Sequence, residues 1–254
     1  MNRPGVAILG PVERPTARLL CLPHAGGAAS TYNQWHRLVP PGVEVCAIEL
    51  PGRGARFKEP ALTSMAAVVE HVAALIEPLA DVPYVLLGHS MGAVVALELA
   101  RGRSSGMGAP PLALVVAGCR APYLPRPYPQ PLSGLPDNEL VRALARLEGL
   151  PLRVLEMPGF LKTFLPTIRA DLRCREQWRD DMRQVDVPLH VLGGRGDTAV
   201  PEADLEAWKV YTARPIHLRM FDGGHFFVRD NQAQVIDYLA AQVLRPSRQT
   251  QEDP

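Results

Sequence analysis

Six short apolar runs, at 19–22, 43–50, 84–87, 112–117, 189–192 and 216–221, punctuate the chain. Runs of this length, bounded by turn residues, have the pattern of strands buried on both faces. Between several of them apolar residues recur at helical spacing, at 64–79, 91–101, 202–211 and 232–244. Strand alternating with helix implies a mostly parallel sheet with helices on both faces, joined by right-handed crossovers. The fold class is α/β.

With 254 residues, 47% hydrophobic and 21% charged, the chain can bury one sizeable core, and a single domain is expected, two small ones being the alternative. A net charge of +1 supplies no global field for nucleic acid. Cys21, Cys46, Cys119 and Cys174 lie far apart with no C-x-x-C pair, so buried thiols are expected in place of disulfides or a metal site. The opening "MNRPGVAILGPVERP" is too short and too broken by Pro11 for a secretory h-region, and no run approaches membrane-spanning length. A cytoplasmic, reducing compartment is expected.

From 119 to 187 no strand pattern occurs. The segment opens with "APYLPRPYPQPLSGLP", whose prolines exclude helix interior and central strand. "DNELVRALARLEG" follows, with Asp137 expected as N-cap and Leu140, Leu144 and Leu147 on one face, and a second helical run spans about 159–183. Helices inserted between two strands would lie over the strands' carboxyl ends, where open α/β sheets bind ligands, either as a lid or as a structural cap. The polar tail "RPSRQTQEDP", 245–254, is expected to fray.

In "LLGHSMGAVVALELA" a single serine, Ser90, stands between two glycines where strand period changes to helical period. Gly88 and Gly92 carry no Cβ, so strand and helix can crowd together and push the Ser90 hydroxyl outward on a sharp elbow. The following helix aims its N-terminal amides at the same spot.

A serine hydroxyl becomes a useful nucleophile when an imidazole takes its proton and a carboxylate orients that imidazole. After the strand in "PLHVLGG" comes "RGDTAVP", with Asp197; after "IHLRMF" comes "DGGHFF", with His225. Both leave the carboxyl ends of strands, and the order Ser, Asp, His is that of α/β-hydrolases. His190 and His217 lie within strands, and His36 and His71 on helices away from strand ends. Asp222 is too near His225, Asp204 belongs to a helix, and Asp186 precedes its strand. For the oxyanion of a tetrahedral intermediate, the amide of Met91 follows the serine directly, and the loop in "LLCLPHAGGAAS" offers the amide of Ala25, with His24 bracing that loop.

"LPHAGG", "ELPGRGAR", "GHSMGA", "GDTAVP" and "GGHFF" together resemble the type II thioesterases that accompany polyketide and nonribosomal peptide synthases, over about 19–244. The resemblance implies an α/β-hydrolase fold with a helical lid and a thioesterase that releases aberrant or stalled acyl groups from the phosphopantetheine arm of acyl or peptidyl carrier proteins. It implies nucleophile Ser90, base His225, orienting acid Asp197, oxyanion amides at Ala25 and Met91, and no metal or organic cofactor. Arg169, Arg173, Arg175, Arg179 and Arg183 could meet an acidic carrier face, or with Glu176, Asp180 and Asp181 make a solvated helix face. A carboxylesterase or lipase, an acyltransferase or cyclase, and a noncatalytic binding protein on a hydrolase scaffold stay open as alternatives.

Overall fold

The computed structural model describes residues 4–125, 130–147 and 156–244. All six expected strands form, each boundary within two residues: β2 (Ala17–Leu22), β3 (Val43–Ile48), β4 (Tyr84–His89), β5 (Ala113–Ala117), β6 (Leu189–Gly194) and β7 (His217–Phe221). A further strand, β1 (Val6–Leu9), precedes them. The sheet order is β1-β3-β2-β4-β5-β6-β7, parallel except for β1, which runs antiparallel to β3 with Val6 opposite Ile48. Four residues flanked by Gly5 and Gly10 are an ambiguous signal alone; it is the ladder with β3 that makes them a strand.

Alternate residues of each central strand enter opposite cores. Leu20, Leu22, Leu86, Leu114, Val116 and Val191 pack in one cluster, and Leu19, Cys21, Val85, Leu87, Val115 and Leu192 in the other. The first cluster is covered by α1 (Met65–Ile76) and α2 (Met91–Ser104), the second in part by a 3-10 turn carrying Trp35 and by the C-terminal helix. Ser64 caps α1, its Oγ accepting the Ala67 amide at 3.2 Å. The helix ends before Pro78, and 77–79 tightens to a 3-10 turn because proline has no N–H to continue the ladder.

Two helices occupy the insertion, α3 (Asp137–Arg146) and α4 (Pro158–Gln177). Leu140 and Val141 of α3 bury against Leu165 and Ile168 of α4 in a small separate cluster. Two expectations are corrected here. Asp137 is the first helical residue and not the cap, a position taken by Pro136; its carboxylate instead pairs with Arg169 of α4 at 2.5 Å. The second helix stops at Gln177, six residues short, because the following chain is drawn onto buried Arg101. That guanidinium takes the Asp180 carboxylate at 3.0 Å and the Arg183 carbonyl at 2.8 Å.

The chain closes with α5 (Glu202–Glu206) and its 3-10 continuation Ala207–Tyr211, then α6 (Phe227–Asp230) and α7 (Gln232–Gln242). The tail 245–254 lies outside the described residues. All four cysteines are buried. Among the described residues no helix is long and apolar enough to cross a membrane.

Candidate active site

β4 delivers Ser90 straight into α2. Ser90 has φ 54° and ψ −114°, a conformation in which an L side chain is strained. The strain is held by crowding: a Cβ on Gly88 would strike the carbonyl of Gly92, and one on Gly92 the carbonyl of Leu22. The Ser90 amide donates to Ala117 O at 2.8 Å, anchoring the elbow to the end of β5.

The loops after β6 and β7 lie side by side, with Arg195 N on Phe221 O and Gly196 N on Gly223 O, both at 2.8 Å. This pairing brings Asp197 to His225. Asp197 Oδ2 lies 2.7 Å from His225 Nδ1, and His225 Nε2 lies 3.1 Å from Ser90 Oγ. Asp197 Oδ1 also accepts the Ala199 amide at 3.0 Å, which fixes the carboxylate in its own turn. Asp197 and His225 are both buried. A carboxylate on Nδ1 holds that nitrogen as N–H and leaves Nε2 as the acceptor facing the serine, the tautomer needed to take its proton.

Ser90 and His225 line a cavity of about 610 Å³, together with Ala25 and Met91. Met91 opens α2, so its N–H is one of the first-turn amides without an intrahelical acceptor. Leu172 and Trp178, from α4 and the residue after it, wall the same cavity, so the insertion stands over the serine. The competing acids and histidines go elsewhere. Asp204 pairs with Arg120 at 2.6 Å and Asp186 with Arg214 at 2.8 Å, while His190 stacks on His217. Among the described residues no group of three or more His, Cys, Asp or Glu side chains could hold a metal ion.

A family model, the thioesterase domain, matches residues 17–243. The chain belongs to the thioesterase domain family. The gramicidin S biosynthesis protein GrsT of Aneurinibacillus migulanus is 37% identical over 228 residues, 89% of this chain and 88% of that protein. Among solved structures, the RedJ thioesterase of the prodiginine pathway in Streptomyces coelicolor superposes with a TM-score of 0.81 at 32% identity, covering 89% of this chain and 90% of its own. The type II thioesterase BorB of the borrelidin cluster gives 0.82 at 31%, covering 93% and 96%.

This thioesterase also carries site residues that pattern reading missed. His89, directly before the serine, is buried, and its Nε2 lies 2.8 Å from the main-chain oxygen of His225. Burial, then the neighbouring His225 and His24 rings, hold its pKa well below the ordinary histidine value, so it stays neutral. His24, whose bracing role the sequence did suggest, stands edge-on to Phe226, with ring centroids 4.8 Å apart, and burial chiefly lowers its pKa to about 3; it braces its loop against the His225 segment. Glu49, at the end of β3, accepts the amides of Ala29 at 2.5 Å and Ala55 at 2.9 Å, tying two loops beside the thioesterase site. His89 and Glu49 fall inside the quoted "GHSMGA" and "ELPGRGAR"; Phe226 follows His225 in "GGHFF".

Proposed function

We propose that this thioesterase hydrolyses acyl groups from the phosphopantetheine arm of acyl or peptidyl carrier proteins, clearing aberrant or stalled units in polyketide or nonribosomal peptide synthesis. The observation that carries the reading is the hydrogen-bonded run from Asp197 through His225 to Ser90 at the wall of a lidded cavity, in a chain of this family.

In the first half-reaction Ser90 Oγ attacks the thioester carbonyl and its proton passes to His225 Nε2. The oxyanion of the tetrahedral intermediate is held by the amides of Ala25 and Met91. Collapse breaks the C–S bond, and the imidazolium returns the proton to the departing thiolate, leaving an acyl-serine and a free pantetheine thiol. Water then attacks the acyl-serine with His225 again taking the proton, and collapse releases the acid and the Ser90 hydroxyl. Asp197 stays ionised and stabilises the imidazolium in both halves. None of these steps calls for a metal or an organic cofactor. α3 and α4 act as the lid that sheds bulk water, and their opening or carrier release limits turnover.

The test is hydrolysis of one short acyl group from a phosphopantetheinylated carrier protein and from free pantetheine, by the wild type and by Ser90→Ala. Release that prefers the carrier and vanishes in the variant supports the proposal. Equal rates on both substrates remove the carrier partner. Thioester hydrolysis that persists in Ser90→Ala would remove Ser90 as the nucleophile.

A further inference from the structure

α4 is fastened to the loop that carries Ala25 by an ion pair hidden from solvent. Asp171, in the middle of α4, is 1% exposed, and Arg53, in the loop after β3, is 3% exposed. The two meet bidentately, Arg53 Nη1 on Asp171 Oδ2 at 2.5 Å and Nη2 on Oδ1 at 2.8 Å. Asp171 Oδ2 also accepts the amide of Gly26 at 2.7 Å, and Arg53 Nη1 also donates to the carbonyl of Gly27 at 3.3 Å. The loop is thus gripped at two consecutive residues, by the N–H of Gly26 and the C=O of Gly27, immediately after Ala25.

Two neighbouring contacts hold the grip in place. One turn before Asp171, Thr167 Oγ1 donates to Gly52 O at 2.9 Å, pinning α4 to the Arg53 loop as well. Gly26 has φ +73°, and the side chain of Ile168 occupies the space a Cβ there would need, so α4 rests directly on the Gly26 peptide. No hydrogen bond from the Ala25 amide itself occurs among the described residues. The direction of that N–H is therefore set by the peptides on either side of it, and the one that follows is held by Asp171.

We infer that the Arg53–Asp171 pair is a positioning element of the reaction: it aims the Ala25 amide at the oxyanion and couples the seating of the lid helix to that aim. This rests on Ala25 being an oxyanion donor in the function proposed above. A buried ion pair is by itself weak as a stabilising device, since hydrophobic replacement of both partners is commonly neutral or better. Here the pair has a geometric task that a hydrophobic replacement cannot perform: it places an acceptor on the Gly26 N–H and a donor on the Gly27 C=O, at two consecutive residues.

The experiment compares the wild type, Asp171→Ala and the double variant Arg53→Met/Asp171→Leu on a p-nitrophenyl acyl ester, whose hydrolysis needs the oxyanion donors but no thioester and no carrier. Asp171→Ala leaves a buried guanidinium unpaired and is expected to lose both stability and turnover. The double variant regains the wild-type Tm while kcat stays down by about 10²-fold, because an amide misplaced by an ångström loses most of its effect on the transition state. KM stays within about twofold, the signature of an interaction made only in the transition state. Affinity for a trifluoromethyl ketone, whose serine adduct bears the same oxyanion, weakens with kcat. A double variant with wild-type Tm and wild-type kcat overturns the inference, as does a loss confined to KM. A wild type that cleaves the p-nitrophenyl ester but no acyl-pantetheine overturns the thioester reading alone and leaves the positioning result standing.

Discussion

His89 Nε2 donates a hydrogen bond to the main-chain carbonyl of His225, 2.8 Å away, so the residue before the elbow serine holds the backbone of the histidine that faces that serine. The carbonyl can only accept, and His89 is kept neutral by burial, so its proton sits on Nε2. Replacing His89 with Phe keeps a ring against Phe226 and Phe227 but strands a buried acceptor. The expected cost is about 1–3 kcal/mol in stability. A fall in kcat of between about 10- and 10²-fold is expected as His225 shifts. Chemical denaturation and ester hydrolysis measure the two; an unchanged kcat per folded molecule would show that the contact serves folding only.

Asp197→Asn retains an oxygen for the Ala199 amide but can offer His225 Nδ1 an NH₂ group, which favours the wrong imidazole tautomer. Turnover is expected to fall on the order of 10⁴-fold with little change in Tm. A loss below tenfold would mean that Asp197 does not orient the base.

The strain at Ser90 makes stability and activity oppose one another at one residue. Ser90→Ala and Ser90→Gly both remove the hydroxyl, yet only glycine relaxes φ 54°, ψ −114°. Strain of this kind is worth roughly 1–3 kcal/mol, against about 0.4–1 kcal/mol of extra chain entropy in an unfolded glycine variant. Ser90→Gly is thus expected to unfold at higher denaturant than Ser90→Ala, by about 1 kcal/mol, both being inactive. The reverse order in a urea titration would contradict a strained elbow.

Burial, with a smaller contribution from His217, lowers the pKa of His190 to about 4 from its ordinary 6.5. A depressed histidine pKa stabilises the fold fully above pH 6.5; as pH falls towards 4 the unfolded chain takes up a proton that the folded chain refuses, and that stability is lost. His190→Phe keeps a ring to stack on His217 and removes the titration. Its unfolding free energy should decline less between pH 6.5 and 4 than that of the wild type, by on the order of 3 kcal/mol in total. Parallel pH profiles for the two proteins would exclude His190 as a source of acid lability.

Where chemistry depended on local spacing, it was legible in the chain. The change of period at Ser90, the glycines on either side, and the exits of Asp197 and His225 from strand ends are all short-range features, and strand alternation alone sorted Leu19 from Leu20 into opposite cores. What tertiary structure decided were meetings between residues far apart in sequence. Only the backbone pairing of 195–196 with 221–223 sets Asp197 against His225, and only the ladder with β3 makes a strand of Val6–Leu9. The end of α4 at Gln177 was decided by the attraction of Asp180 to Arg101, against a helical pattern that ran on. Arg53 and Asp171, 118 residues apart, carry no periodic signal of their partnership. Hydrophobic period and turn chemistry are written into a few adjacent residues, whereas a buried charge finds its partner only after the apolar faces have closed around both.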